Sequence, residues 1–202
     1  MSKTRCLKLK KKILEGKILS IDPTSGGLIR TTNETSQAGW AEFEKGKLTN
    51  SGVIEIPFHP AKEERFRSIL EILQKEFKET YDVLIIEDIP MAPRRGQFNV
   101  SSTLIQACGV YIAGTSGELI EMATHTWQAI ARRLGGWTKT DESDAIYIGL
   151  AAVAFAEGYH QKLSEKKKLE FLYSLIDSYE AWDLPLIAQH RSTINARTSE
   201  HT

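Results

Sequence analysis

Cysteine is nearly absent from this chain: Cys6 and Cys108 are the two it has. They lack the paired spacing of a zinc ligand set and are too few for a disulfide framework. Both read as small buried or incidental side chains in a reducing compartment. No apolar run approaches the ~18 residues that a membrane-spanning helix needs. Ile13 and Leu14 follow a basic start but run at once into Glu15-Gly16-Lys17. That is no apolar signal core, so a cytoplasmic protein is expected. One-sided charge is lacking too. Lys and Arg number 26 and Asp and Glu 26, for a net charge of zero, so no global field advertises a nucleic-acid partner. Ser25-Gly26-Gly27 has neither Walker nor dinucleotide-binding spacing. His59 and His125 have no ligand-like neighbours at short range, and no Ser-His-Asp or Cys-His arrangement can be argued. No internal repeat is visible.

What is present fits a globular protein. The 202 residues are 41% hydrophobic and 26% charged, enough for one sizeable domain or one domain with an appendage. The charge is unevenly placed. Lys3, Arg5, Lys8, Lys10, Lys11 and Lys12 crowd the start, and Arg94-Arg95 and Arg132-Arg133 form two doublets. A local basic patch can hold phosphates in a neutral chain, because charges are screened beyond roughly 8–10 Å. The Lys8–Lys12 run also reads as a solvated segment.

Residues 1–16 read as a basic, poorly patterned lead-in. Lys-Ile-Leu-Ser-Ile-Asp at 17–22 reads as a strand ending at Asp22 before Pro23. Residues 24–37 are rich in Thr, Ser, Gly and Asn and read as a loop. Residues 38–44 and 48–56 read as strands, with Glu44-Lys45-Gly46-Lys47 as a hairpin turn between them. Residues 61–79 show apolar spacings of three and four at Phe66, Ile69, Leu70, Leu73 and Phe77, an amphipathic helix. Tyr-Asp-Val-Leu-Ile-Ile at 81–86 fits a strand buried on both faces and leads into Glu87-Asp88. Residues 100–114 read as helix, 119–123 as strand and 127–134 as a helix stopped by Gly135-Gly136. Thr140 is placed to cap a helix running to about Ala156. A last helix is expected over 164–179, and 190–202 as a frayed tail. Three meander strands followed by alternating helices and strands predict a mixed α/β sheet.

Acids stand at the ends of these elements. Asp22 closes the first strand, Glu87 the buried fourth strand, and Asp141 and Asp144 open the late helix on one face. Singly each has an ordinary reading: a turn residue before proline, a strand-end acid, charges complementing a helix dipole. Together they suggest a cluster of hard oxygen donors, the chemistry that Mg²⁺ selects. Two such ions about 3.5–4 Å apart catalyse phosphodiester hydrolysis. Carboxylates packed together without a cation would raise one another's pKa.

Several segments resemble the RuvC family of Holliday junction resolvases: Ile-Leu-Ser-Ile-Asp22-Pro, Gly39-Trp40-Ala41, Val-Leu-Ile-Ile-Glu87, Gln106-Ala-Cys-Gly109 and Asp141-Glu-Ser-Asp144-Ala145. The likeness covers about residues 17–157. It implies an RNase H-like five-stranded mixed sheet flanked by helices, with the nuclease domain at 17–160 and a helical extension and tail at 161–202. It implies Asp22, Glu87, Asp141 and Asp144 as catalytic, metal-binding acids for Mg²⁺ or Mn²⁺, two ions per site. It also implies branched DNA as substrate and a homodimer formed through the helix 100–114, where Ala107 and Gly109 suit close packing. In the loop 91–99, Arg94 and Arg95 would meet phosphates and Phe98 would enter distorted DNA. Phe98 also reads as docking the loop on the core. Where the family often has a lysine after the fifth strand, this chain has Thr126-Trp127-Gln128, and Arg132 or Arg133 is expected to supply the cation. Glu142 has no counterpart in the family's pattern. The long stretch 23–38 and the short span from Trp127 to Asp141 suggest a divergent phage- or plasmid-type branch, acting in a bacterial host's cytoplasm. A DNA-binding scaffold on the same fold is the competing reading, with other branched or hybrid substrates open. A nucleotide-binding relative would need two such domains and Gly-rich phosphate loops.

Overall fold

The run Ile18-Leu19-Ser20-Ile21 is almost wholly apolar, and both of its faces are covered. In the computed structural model, which describes residues 3–24, 35–88, 98–134, 138–159 and 163–177, it forms the middle strand of a five-stranded sheet. This strand, β1 (Lys17–Asp22), pairs antiparallel with β2 (Thr35–Glu44), which pairs antiparallel with β3 (Lys47–Pro57). On its other side β1 runs parallel to β4 (Val83–Asp88), and β4 parallel to β5 (Glu118–Ala123). The order is β3-β2-β1-β4-β5. The hairpin turn falls on Lys45 and Gly46, with φ of 52° and 73°. Two left-handed residues in a row match the right-handed twist of the flanking strands.

Alternation along the strands divides the core in two. Ile18, Ala41, Phe43, Val83, Ile85 and Met122 face α5 (Asp141–Glu157) and α4 (Thr124–Leu134). Leu19, Ile21, Ala38, Ile56, Leu84 and Ile86 face α2 (Lys62–Glu76) and α3 (Phe98–Gly114). The helix α5 is buried on nearly all sides. Thr140 caps its first turn by accepting from the Ser143 N–H at 3.3 Å, and Gly158, at φ 111°, ends it in a left-handed cap.

The sequence reading differs from the structure at the edges and at the start. Residues 3–15 are not an unpatterned lead-in but a helix, α1 (Lys3–Glu15). Ile13 lies in the α5-side core, with Leu9 and Leu14 packed against it. Lysines fill the turns between these apolar positions, and the charge density hides the stripe. The last helix, α6 (Glu165–Asp177), adds Leu172 to the same core. β2 begins at Thr35, inside the stretch expected as loop, because the long partner strand β3 offers backbone groups as far as Pro57. α2 stops at Glu76, and Phe77 turns into the core as its C-cap. Gly135-Gly136 and the tail lie outside the described residues. No described helix is long and apolar enough to cross a membrane.

Candidate metal centre

Register brings two of the acids together. In the parallel β1–β4 pair, Ile21 stands opposite Ile86. The next residues, Asp22 and Glu87, therefore leave neighbouring strand ends about 4.8 Å apart on one face. That face is the one covered by α5, since Ile18 and Ser20 precede Asp22 on it and Val83 and Ile85 precede Glu87.

The first turn of α5 lands on the same spot. Gly39 pairs with Asp22 across the antiparallel ladder. A Cβ on Gly39 would come within 1.7 Å of the Asp141 carbonyl oxygen, so the helix start approaches the sheet at a point open only to glycine. Ser20, fully buried, ties down the next turn: its Oγ reaches the Ala145 carbonyl at 2.8 Å and the Ala41 carbonyl at 3.1 Å. At Gly149 a Cβ would strike the Phe43 ring at 2.2 Å. These close contacts fix where Asp141 and Asp144 emerge. Glu142 turns elsewhere, accepting from Ser51 Oγ on β3 at 2.7 Å.

The electrostatics record the convergence. Burial pushes the Asp22 carboxyl from its ordinary 3.8 up to about 8, and Glu87, Asp144 and Asp141 push in the same direction in that order. The nearby Glu87 carboxylate also favours the proton on Asp22 as an acceptor. Although the Asp22 residue keeps some exposed edge, its carboxyl is surrounded by protein and by other acids. Asp141 is likewise raised by burial. Among the described residues no group of three or more His, Cys, Asp and Glu side chains is drawn in to the spacing of a formed metal site. The acids are close enough to act on one another without forming a closed cage. Their chemistry fits a divalent cation: hard carboxylate oxygens, no competing lysine among the causes of the Asp22 shift, and mutual repulsion that a positive ion would relieve.

Two positions near the acids had no role in the sequence reading. Trp127, 1% exposed, donates from Nε1 to Glu87 Oε1 at 3.2 Å. An unpaired buried N–H would cost about 1–3 kcal/mol, so the indole needs this acceptor. Tyr111, on α3, donates its hydroxyl to the Thr24 carbonyl at 3.1 Å and accepts from the Thr24 N–H at 3.3 Å, latching the chain just after Asp22. An aromatic with a polar tip close behind a strand end was the available signal in the first case; nothing local marked the second.

The proposed DNA contacts are placed unevenly. Arg132 and Arg133 occupy the last turn of α4, where they donate to Gln128 Oε1 and the Ala129 carbonyl within that helix. Arg94 and Arg95 lie outside the described residues, and Phe98 opens α3. On α3, Ala107 packs inward and is fully buried, so it does not belong to an outer contact face as the sequence suggested. Gly109 and Ile112 do face outward; a Cβ at Gly109 would meet nothing within 4 Å.

Sheet order, strand directions and flanking helices define an RNase H-like α/β domain. Its fold is similar to that of RuvC. Among solved structures the chain is similar to T. thermophilus RuvC in complex with Holliday junction substrate, at TM-score 0.52 and 14% identity, covering 70% of this chain and 96% of that one. It is also similar to a second Thermus thermophilus RuvC structure, at TM-score 0.49 and 13% identity, with the same coverage of both chains. The sequence matches no protein-family model and no curated protein.

Proposed function

We propose that this chain is a divalent-metal-dependent endodeoxyribonuclease that cuts branched DNA, four-way junctions foremost, by phosphodiester hydrolysis. The observation that carries this reading is the shared electrostatics of Asp22, Glu87, Asp141 and Asp144, contributed by two parallel strand ends and one helix start. Two Mg²⁺ or Mn²⁺ ions held there would supply an activated water and a contact that stabilises the leaving 3′ oxygen. The chain's own part is to hold the donors. Asp22 and Glu87 stand at the ends of two neighbouring inner strands, and their carboxylates would hold the cation. Asp141 and Asp144 come from α5, seated by Gly39 and Ser20.

The similarity to a RuvC solved with a Holliday junction supports branched DNA as the partner class. In this reading the nuclease unit spans 17–160, Arg94, Arg95, Arg132 and Arg133 meet phosphates, and Phe98 wedges into the distorted centre. Two copies pair through the outer face of α3, matching a junction's two-fold symmetry.

The test is cleavage of a panel of four-way junctions, flaps, forks, RNA–DNA hybrids and linear duplexes with Mg²⁺. Asp22→Asn and Glu87→Gln are expected to slow cutting by about 10²–10³-fold, the scale of one lost electrostatic contact to a transition state, while junction binding persists. Undiminished cleavage by either variant removes the mechanism. Junction binding by the unmutated chain with no cutting in either metal would mark a scaffold on the same fold.

A further inference from the structure

We propose that Trp127 is a positioning residue for Glu87, setting the orientation in which that carboxylate is offered to a cation; the inference rests on the metal-site reading above. β5 ends at Ala123 and α4 begins at Thr124 with no intervening loop. Ala123 and Met122 stand opposite Asp88 and Glu87 in the parallel β4–β5 register. Residue 127, one turn into α4, is thereby delivered beside the end of β4. The indole body is held in the α5-side core with Met122 and Ile130, and its single polar atom is spent on Glu87 Oε1 at 3.2 Å.

The choice of donor has a chemical consequence. A lysine or arginine at this distance would neutralise Glu87 and compete with a cation for it. An indole N–H carries no net charge and does not titrate, so it fixes the carboxylate's direction and leaves its negative charge for the metal. A flexible glutamate has several rotamers to lose on binding; a buried indole anchored by its own packing removes that freedom beforehand.

The experiment is Mn²⁺ binding to the chelator-stripped, full-length protein, measured by calorimetry without DNA, for the unmutated chain and for Trp127→Phe. Phenylalanine keeps an apolar ring in the core and deletes the N–H. Mn²⁺ affinity is expected to fall about 10-fold, the lower end of what losing a ligand's hydrogen-bond partner does. A folded Trp127→Phe that binds Mn²⁺ as tightly as the unmutated chain overturns the inference and leaves the four-acid site standing. If the variant does not fold, the unmutated chain decides: the assigned Trp127 indole N–H resonance should shift in step with added Mg²⁺ and saturate with the calorimetric heat. A resonance that stays in place while heat is released overturns the proposal. An unmutated chain that takes up neither ion brings down both readings at once.

Discussion

Burial lifts the Asp22 carboxyl to about 8, and three neighbouring acids lift it in the same direction. The folded, metal-free protein therefore holds a proton between about pH 4 and 8 that the unfolded chain has released. The folded state binds more protons across that window, so this group's contribution to stability is complete below pH 4. It is lost as pH rises through the folded-state value. Asp22→Asn should raise the melting temperature in chelator at pH 8, on the order of 5 °C, and change it little at pH 4. Thermal scans at the two pH values check this; an equal effect at both would mean that charge is not the cause. Gly39 makes a second case at this scale. Its missing Cβ is the space that the Asp141 carbonyl occupies. Gly39→Ala is expected to cost about 1–3 kcal/mol through overpacking and to slow cleavage by about 10²-fold through a displaced helix start. Urea unfolding and initial rates measure the two parts separately.

Among the elements, α3 has one face committed and one open. Ala107, Tyr111 and Gly114 turn inward, and Leu73 of α2 lies against Gly114. Gln106, Gly109, Ile112 and Ala113 are exposed. A helix presenting glycine beside a 37% exposed isoleucine allows a second copy to approach closely. Gly109→Arg would put a charged side chain into that surface without disturbing the core, since nothing lies within 4 Å of the added carbon. Sedimentation should show the unmutated chain as a dimer and Gly109→Arg as a monomer with an unchanged melting temperature. A dimer in both would move the interface off α3. The helix α5 is the opposite kind of element, buried on nearly every side and held by Ser20, Thr140 and Gly158, as suits a part that delivers two carboxylates to a fixed place.

At the scale of the whole molecule, repulsion among the acids would make a cation bound there a stabilising ligand. Any ion bound only by the folded chain adds RT ln(1 + [L]/Kd), about 2.7 kcal/mol at a hundredfold excess over Kd. Mg²⁺ should therefore raise the melting temperature relative to chelator, and Glu87→Gln should abolish most of that rise. A rise of the same size in Glu87→Gln would place the stabilising ion elsewhere.

Order and type of most elements were legible because they rest on short-range chemistry. Apolar runs bounded by turn residues read as strands, three-and-four spacings as helices, and Lys45-Gly46 as the two-residue hairpin it is. The α1 helix was not legible, because its lysines mask three apolar residues whose partner, α5, lies far along the chain. The four acids could be singled out by their places at element ends. That Asp22 and Glu87 share one face, that Glu142 turns aside to Ser51, and that Trp127 holds Glu87 all depend on strand register and helix seating. Local pattern determines which residues alternate or recur, since the backbone's own periodicity enforces it. Which alternate residues meet is decided only when the sheet closes and α5 docks, because that meeting is set by contacts between positions far apart in the chain, from 40 residues for Trp127 and Glu87 to 125 for Ser20 and Ala145.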